Sequence, residues 1–290
     1  MIQRILIIGT GLLGASTGLA LRAQGFAGEI IGSDRDPGVL ETAFRRGAIT
    51  SAVHDPFDAA KEADLVVLAG PVLAIVEWTE RLADVLGPHQ LVTDVGSTKC
   101  RIAQTADLHY NRAGRAAYLP AHPMAGKEVS GVENAEATLF RGAVWLFTPP
   151  PSFAPEPQAA AAAAEFRSLV HGFGCRTLDM DAARHDELLA WVSHLPQFLA
   201  TALTALFQEE FGADADLRAI GGRAMREMTR LGSSPYSMWH DIALTNTEHI
   251  ERSLAALEQR LARMRGILRT SRLRDEFEMA NQFRIAPQPQ

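Results

Sequence analysis

Six residues near the amino terminus constrain this chain more than any others: Gly9-Thr10-Gly11-Leu12-Leu13-Gly14. They follow an apolar, isoleucine-rich run at 4–9 and open a helical pattern at 12–24. In that strand–turn–helix setting the G-x-G-x-x-G spacing builds a dinucleotide cradle. Gly9 makes the tight turn, Gly11 lets backbone approach a pyrophosphate, and Gly14 lets the helix pack closely on the strand. The backbone of Thr10, Leu12 and Leu13 at the helix start offers N–H groups and a partial positive charge to the phosphates. Arg4 and the apolar residues through Leu21 share the outline of a secretion signal, but glycines at 9, 11, 14 and 18 break it. A strand, turn and helix account for the segment better.

A second apolar run, 29–33, is followed by Asp34, twenty residues beyond Gly14. An acid at that place accepts hydrogen bonds from the adenosine ribose hydroxyls and repels a 2′-phosphate, which favours NAD over NADP. Arg35 beside it is the kind of residue that serves a 2′-phosphate, so NADP stands as the lesser alternative.

Further apolar runs at 65–70, 91–95 and 117–121 read as buried strands, with helical patterns at 38–46, 73–86 and 100–108 between them. That alternation predicts a parallel sheet covered by helices on both faces. A strand at 143–148, a helix at 159–170 and a strand at 175–178 follow. Beyond 181 only helical patterns are legible, at 182–211, 217–231, 236–267 and 272–283. The expectation is an α/β, Rossmann-type domain over 1–179 and an all-helical domain over 180–290. Leu254, Leu257, Leu261, Met264 and Leu268 recur at helical spacing. Such a seam suits dimerisation, or equally a helix folded back on its own chain.

Composition narrows the partners. The 290 residues are 47% apolar and 21% charged, with a net charge of −6, as befits a globular protein of about two domains. Net acidity weighs against nucleic acid or an anionic membrane as partner. No stretch after the first helix reaches the ~18 consecutive apolar residues of a membrane span. Cys100 and Cys175 lie far apart and in no metal-ligand spacing, so a reduced, cytoplasmic setting and no metal are expected.

Open parallel sheets bind ligands at the carboxyl ends of their strands. Pro71 follows the run at 65–70, Ser97 follows that at 91–95, and His122 follows that at 117–121. A serine and a histidine delivered to one rim make an acid–base pair, because a neutral imidazole titrates near the pH at which it must work. Lys99 is one of only three lysines, with Lys61 and Lys127, in a chain that otherwise uses arginine, a hint that an ammonium is needed there. In the helical half, Pro196 should kink the helix that carries His194. Arg223, Arg226 and Arg230 share one helix face, and the first two read as a solvated basic face. Trp239 follows Pro235 at the start of another helix, as core or as a binding-site wall.

Taken together, GTGLLG, DVGSTK, HPMAG with Glu128 and Ser130-Gly131, SHLP, TRL with Arg230, and SPYSMWHDI with Asn246 resemble the prephenate/arogenate dehydrogenase family of tyrosine biosynthesis. The pieces stand in the family's order and span nearly the whole chain. The resemblance implies oxidative decarboxylation of prephenate or arogenate with hydride transfer to NAD. It implies that His122 accepts the carbinol proton, that Ser97 orients hydroxyl and imidazole, and that Arg230 anchors a substrate carboxylate. His194 would line the pocket, Glu128 would pair with the arginine and gate access, and Trp239 would reach a neighbouring subunit of a homodimer. Two positions depart from the pattern. Gln197 stands where many members have histidine, and Lys127 stands where a small hydroxyl residue is expected, either adding positive charge near the substrate or pointing to solvent. Many relatives carry a further ligand-sensing domain, which this chain is expected to lack. Tyrosine, as an inhibitor, is therefore expected at the active site.

Two other readings compete. One is a different hydroxy-acid or imine dehydrogenase on the same two-domain plan. Those that use a lysine base on the helical domain are disfavoured, since no lysine follows Lys127. The other is a non-catalytic NAD-binding regulatory dimer, in which the Ser, His and Arg set would be dispensable.

Overall fold

The computed structural model describes residues 1–286. Strands β1 (Arg4–Ile8), β2 (Glu29–Ser33), β3 (Ser51–Val53), β4 (Leu65–Leu68), β5 (Leu91–Asp94) and β6 (Ala117–Leu119) form one sheet. All its pairings are parallel, in the order β3-β2-β1-β4-β5-β6. Helices α1 (Leu12–Ala23), α2 (Pro37–Arg45), α3 (Phe57–Glu62), α4 (Val72–Leu82) and α5 (Cys100–His109) make the crossovers. Because strand residues alternate faces, Ile5 and Ile7 pack into one core with Leu21, while Leu6 and Ile8 pack into the other with Val66 and Ile75. The strand order reverses between β1 and β4, the place where such sheets open a crevice.

Chain close-packing explains the glycines at this crevice. Gly9 has φ +93°, a left-handed backbone that a side chain would strain. A Cβ on Gly14 would lie 1.9 Å from the Gly9 carbonyl oxygen, so α1 can sit on β1 only with glycine there.

The run at 117–121 does not continue as one strand. It divides at Pro120, whose ring nitrogen has no hydrogen to donate to a ladder. β6 stays in the large sheet, and β7 (Ala121–Pro123) starts a second one. There β7 pairs antiparallel with β8 (Val144–Phe147), and β8 pairs parallel with β9 (Arg176–Asp179). Helix α6 (Pro157–Gly172) covers this sheet through Phe166, which packs edge-on against Trp145 and Phe147. His122 is thus a strand residue of the second sheet, and not part of a loop after the first. The short elements β3 and α3 were not expected; β3 is only three residues, none fully buried, and so has little hydrophobic signature.

Helices follow from Ala182: α7 (Ala182–Leu189), α8 (Leu195–Phe211), α9 (Ala215–Ile220), α10 (Arg223–Thr229), α11 (Tyr236–Thr245), α12 (Thr247–Ile267) and α13 (Leu273–Ile285). A π-helical turn, Ala190–His194, joins α7 to α8 just before Pro196. Pro196 cannot donate to the carbonyl four residues back, and the wider turn takes up that loss. The pattern read at 217–231 likewise breaks at Gly221-Gly222, and a 3-10 turn, Arg230–Ser233, closes it. The continuous run Ala182–Phe211 contains a window with mean hydropathy 1.2, long and apolar enough by composition to cross a bilayer, contrary to the count of consecutive apolar residues. Asp186 within it is nonetheless buried against the first half of the chain.

Two carboxylates fasten the helices to the sheet. Asp186 accepts the backbone N–H groups of Lys99 (2.7 Å) and Cys100 (2.8 Å) at the start of α5. Asp241 accepts that of Leu73 (3.1 Å) at the start of α4. Each satisfies N–H groups left free at a helix N-terminus and complements its partial positive charge. Both helices start at the carboxyl ends of strands, so this docking places the helical residues directly over the crevice.

Candidate active site

A cleft of about 540 Å³ opens there. Its cradle side is lined by Leu12, Leu13, Pro71 and Ser97, and its far wall by His194, Arg230 and Trp239. An added Cβ on Gly11 would meet no protein atom within 4 Å, so the backbone faces open space where a pyrophosphate would need to approach. Asp34 lies beyond the end of β2, where its carboxylate accepts the Thr10 N–H (2.8 Å) and the Asp36 N–H (3.1 Å). These two donors hold the carboxylate beside the glycine turn, with lone pairs left for ribose hydroxyls. Arg35 is exposed. The residues present therefore fit a dinucleotide.

His122 lines the same cleft and is buried. Its Nδ1 lies 2.9 Å from Nε2 of His185, whose Nδ1 lies 2.8 Å from Oδ1 of Asp186. Burial drives the His122 pKa well below the ordinary histidine value, and the neighbouring His185, Lys99 and His194 push the same way. The ring is neutral at physiological pH. Burial acts against the Asp186 carboxylate, yet hydrogen bonds from His185, Cys100 and Lys99 hold its pKa below the usual value.

His194 is also buried and neutral, held down to about 4 chiefly by burial. The Asn246 side-chain nitrogen donates to the Asp186 carbonyl (2.8 Å) and lies 3.2 Å from Nδ1 of His194. A carbonyl only accepts, so the atom facing His194 is an N–H donor and Nδ1 must receive it. The His194 proton then sits on Nε2, which makes this ring a donor. Trp239 packs edge-on against His194 at 5.9 Å between ring centres and lines the cleft of its own chain.

Arg230 and Glu128 form an ion pair that joins the 3-10 turn to the loop after β7. Gln197 fastens that turn from behind: its Nε2 donates to the Leu231 carbonyl (2.7 Å), and its Oε1 accepts from the Ser234 hydroxyl (3.1 Å). Lys127 is committed to its own loop, donating to the Asn134 carbonyl (3.0 Å) and pairing with Glu136 (3.2 Å). Lys99 is fully buried: its ammonium pairs with Asp94 and donates to the Ala121 carbonyl (2.7 Å). The rare ammonium thus joins β5 to β7 instead of facing the cleft.

The sequence reading missed His185, Asp186 and the roles of Asp94 and Gln197. Arg184-His185-Asp186-Glu187 reads as a polar helix surface. The available signal was that His185 precedes Leu189 by four residues and so shares its buried stripe.

Fold and cleft together define a two-domain protein in which a Rossmann-type nucleotide cradle is closed by a helical half. Residues 17–172 match the model of the prephenate dehydrogenase nucleotide-binding domain, and residues 181–283 match that of the prephenate dehydrogenase dimerization domain. The chain belongs to the prephenate dehydrogenase family. It is 32% identical over 247 residues to the prephenate dehydrogenase of Lactococcus lactis subsp. cremoris, covering 85% of this chain and 66% of that relative, and so spans just under two thirds of its length. It is 31% identical over 246 residues to the cyclohexadienyl dehydrogenase of Zymomonas mobilis, covering 84% and 81%. A crystal structure of prephenate dehydrogenase from A. aeolicus, in complex with hydroxyphenyl propionate and NAD+, superposes with a TM-score of 0.82 at 26% identity, covering 98% of this chain and 95% of that one.

Proposed function

We propose that this protein oxidatively decarboxylates a cyclohexadienyl acid, prephenate or arogenate, giving 4-hydroxyphenylpyruvate or tyrosine and CO2 in tyrosine biosynthesis. The observation that carries this reading is that the neutral His122 imidazole and the Arg230 guanidinium open onto one cleft. NAD, when bound, supplies the hydride acceptor; Gly9, Thr10, Gly11, Leu12, Leu13 and Gly14 would hold its pyrophosphate, Asp34 its ribose, and Pro71 and Ser97 the rim beside it. His122 takes the carbinol hydroxyl proton as the carbinol hydride leaves. The bond to the ring carboxylate breaks, its electron pair flows into the ring and ends on the oxygen, and that oxygen recovers a proton as the ring becomes aromatic. Aromatisation supplies the driving force, so positioning, one base and carboxylate binding suffice. Ser97 orients the hydroxyl, and His194 donates through Nε2. Arg230 leaves Glu128 to take a substrate carboxylate.

The same reading assigns residues 1–179 to nucleotide binding and 180–290 to substrate enclosure and pairing, in a cytoplasmic homodimer with tyrosine as an active-site inhibitor. Leu261 on α12 and Leu268 just after it are more than half exposed in the single chain, which favours a second copy over a fold-back.

The deciding assay follows absorbance at 340 nm with each substrate and each cofactor. Reduction of NAD with prephenate or arogenate is expected; no reduction with any combination would overturn the reading. Asp34→Ser is expected to shift preference toward NADP, measured as the ratio of kcat/KM for the two cofactors; an unchanged ratio removes Asp34 as the selector. Arg230→Ala is expected mainly to raise KM, by the loss of a charge-assisted contact of about 1.5–3 kcal/mol. An unchanged KM would refute the anchor role.

A further inference from the structure

We infer that His185 is a positioning residue that fixes the tautomer of His122, leaving the His122 nitrogen that faces the cleft unprotonated. The inference rests on the reading of His122 as base and extends it to a residue outside the cleft lining.

The direction of every proton in the chain follows from its buried end. Asp186 already accepts two backbone N–H groups from the start of α5, which hold it as a carboxylate. A carboxylate accepts only, so His185 Nδ1 must donate to it. A neutral ring carries one proton, so His185 Nε2 has a lone pair, and His122 Nδ1, 2.9 Å away, must donate in turn. His122 Nε2 is then bare, as a base requires. Were His185 an imidazolium, it would donate to His122 Nδ1, and His122 would face the cleft with Nε2 already protonated and unable to take the substrate proton. Burial lowers the His185 pKa and the nearby Lys99 ammonium adds to that, against the opposing pull of Asp186 and Asp94. His185 and Asp186 have no solvent exposure. Water therefore does not compete for the His185 ring or for its contact with Asp186, and one tautomer is held. When His122 gains the substrate proton, the same chain sets its positive charge in line with the Asp186 carboxylate, in the manner of the orienting acid of a catalytic triad.

The test uses the full chain labelled with 15N-histidine, together with steady-state kinetics. In the wild type, long-range 1H–15N spectra at neutral pH are expected to show a protonated Nδ1 and a bare Nε2 for His122. His185→Leu is expected to lose that pattern and to lower kcat about 10–100-fold, with KM and NAD binding within about twofold. His185→Gln, whose amide oxygen can accept from His122 Nδ1, is expected to recover most of the rate. A wild-type His122 protonated on Nε2, an unchanged kcat in His185→Leu, or equal losses in the Leu and Gln variants would each overturn the inference. Wild-type protein that oxidises neither cyclohexadienyl acid would overturn the reading of His122 as base, while the tautomer spectrum would still judge His185.

Discussion

His122→Asn is expected to lower kcat by about 10²–10⁴-fold, the range over which a positioned general base contributes. NAD affinity should hold, because His122 lies on β7, away from the glycine turn that follows β1. The pH dependence provides an independent sign. The base works only when neutral, so the wild-type rate is lost as pH falls through the His122 pKa. Burial, with His185, Lys99 and His194 adding to it, places that pKa well below the ordinary 6.5. The wild-type kcat/KM, which reports the free enzyme, should therefore stay flat from neutral pH through 6.5 and fall only at more acid pH. In the Asn variant the residual rate should lack that limb. Near-normal turnover in the variant, or a wild-type limb centred above pH 6.5, would remove His122 from the role.

Lys99→Met is expected to be strongly destabilising. Lys99 and Asp94 form an ion pair with no exposure on either side, and Asp94 also accepts the N–H groups of Gly96 and Ala121. Removing the ammonium leaves a carboxylate buried without its counter-charge, which costs about 3–5 kcal/mol. For a chain of this size that lowers the Tm by roughly 10 °C. The double variant Asp94→Asn/Lys99→Met removes both charges and keeps an acceptor for one of the two N–H groups, which reach different oxygens of Asp94, so it should regain part of the loss. Calorimetry that finds the single and double variants equally impaired would show that the Lys99 stem, and not its charge, holds β5 against β7.

The cradle was legible because its demands are local. Gly9, Gly11 and Gly14 each answer a steric requirement of one turn, and Asp34 sits at a spacing set by one β–α–β unit. His122, His194 and Arg230 were legible as motif residues, and the cleft brings them together from three elements. What stayed hidden depends on contacts distant in sequence. The division at Pro120 shows only when β8 arrives to pair with β7, about twenty residues on. Lys99 looks like a charge for a ligand until the burial of Asp94 gives it a partner. His185 and Asp186 look like helix surface until the start of α5, some 85 residues earlier, reaches them. A one-dimensional pattern carries the period of an element but not the identity of what covers it.

The most direct measurement follows prephenate carrying a labelled ring carboxylate in the presence of NAD, with NADH read at 340 nm and labelled CO2 trapped in the same reaction. One CO2 for each NADH is the expected result, because under the proposed reaction each carbinol oxidised creates the carbonyl into which the electron pair of the ring carboxylate bond flows. NADH formed without labelled CO2 would contradict it, making the cleft that of a simple hydroxyl dehydrogenase.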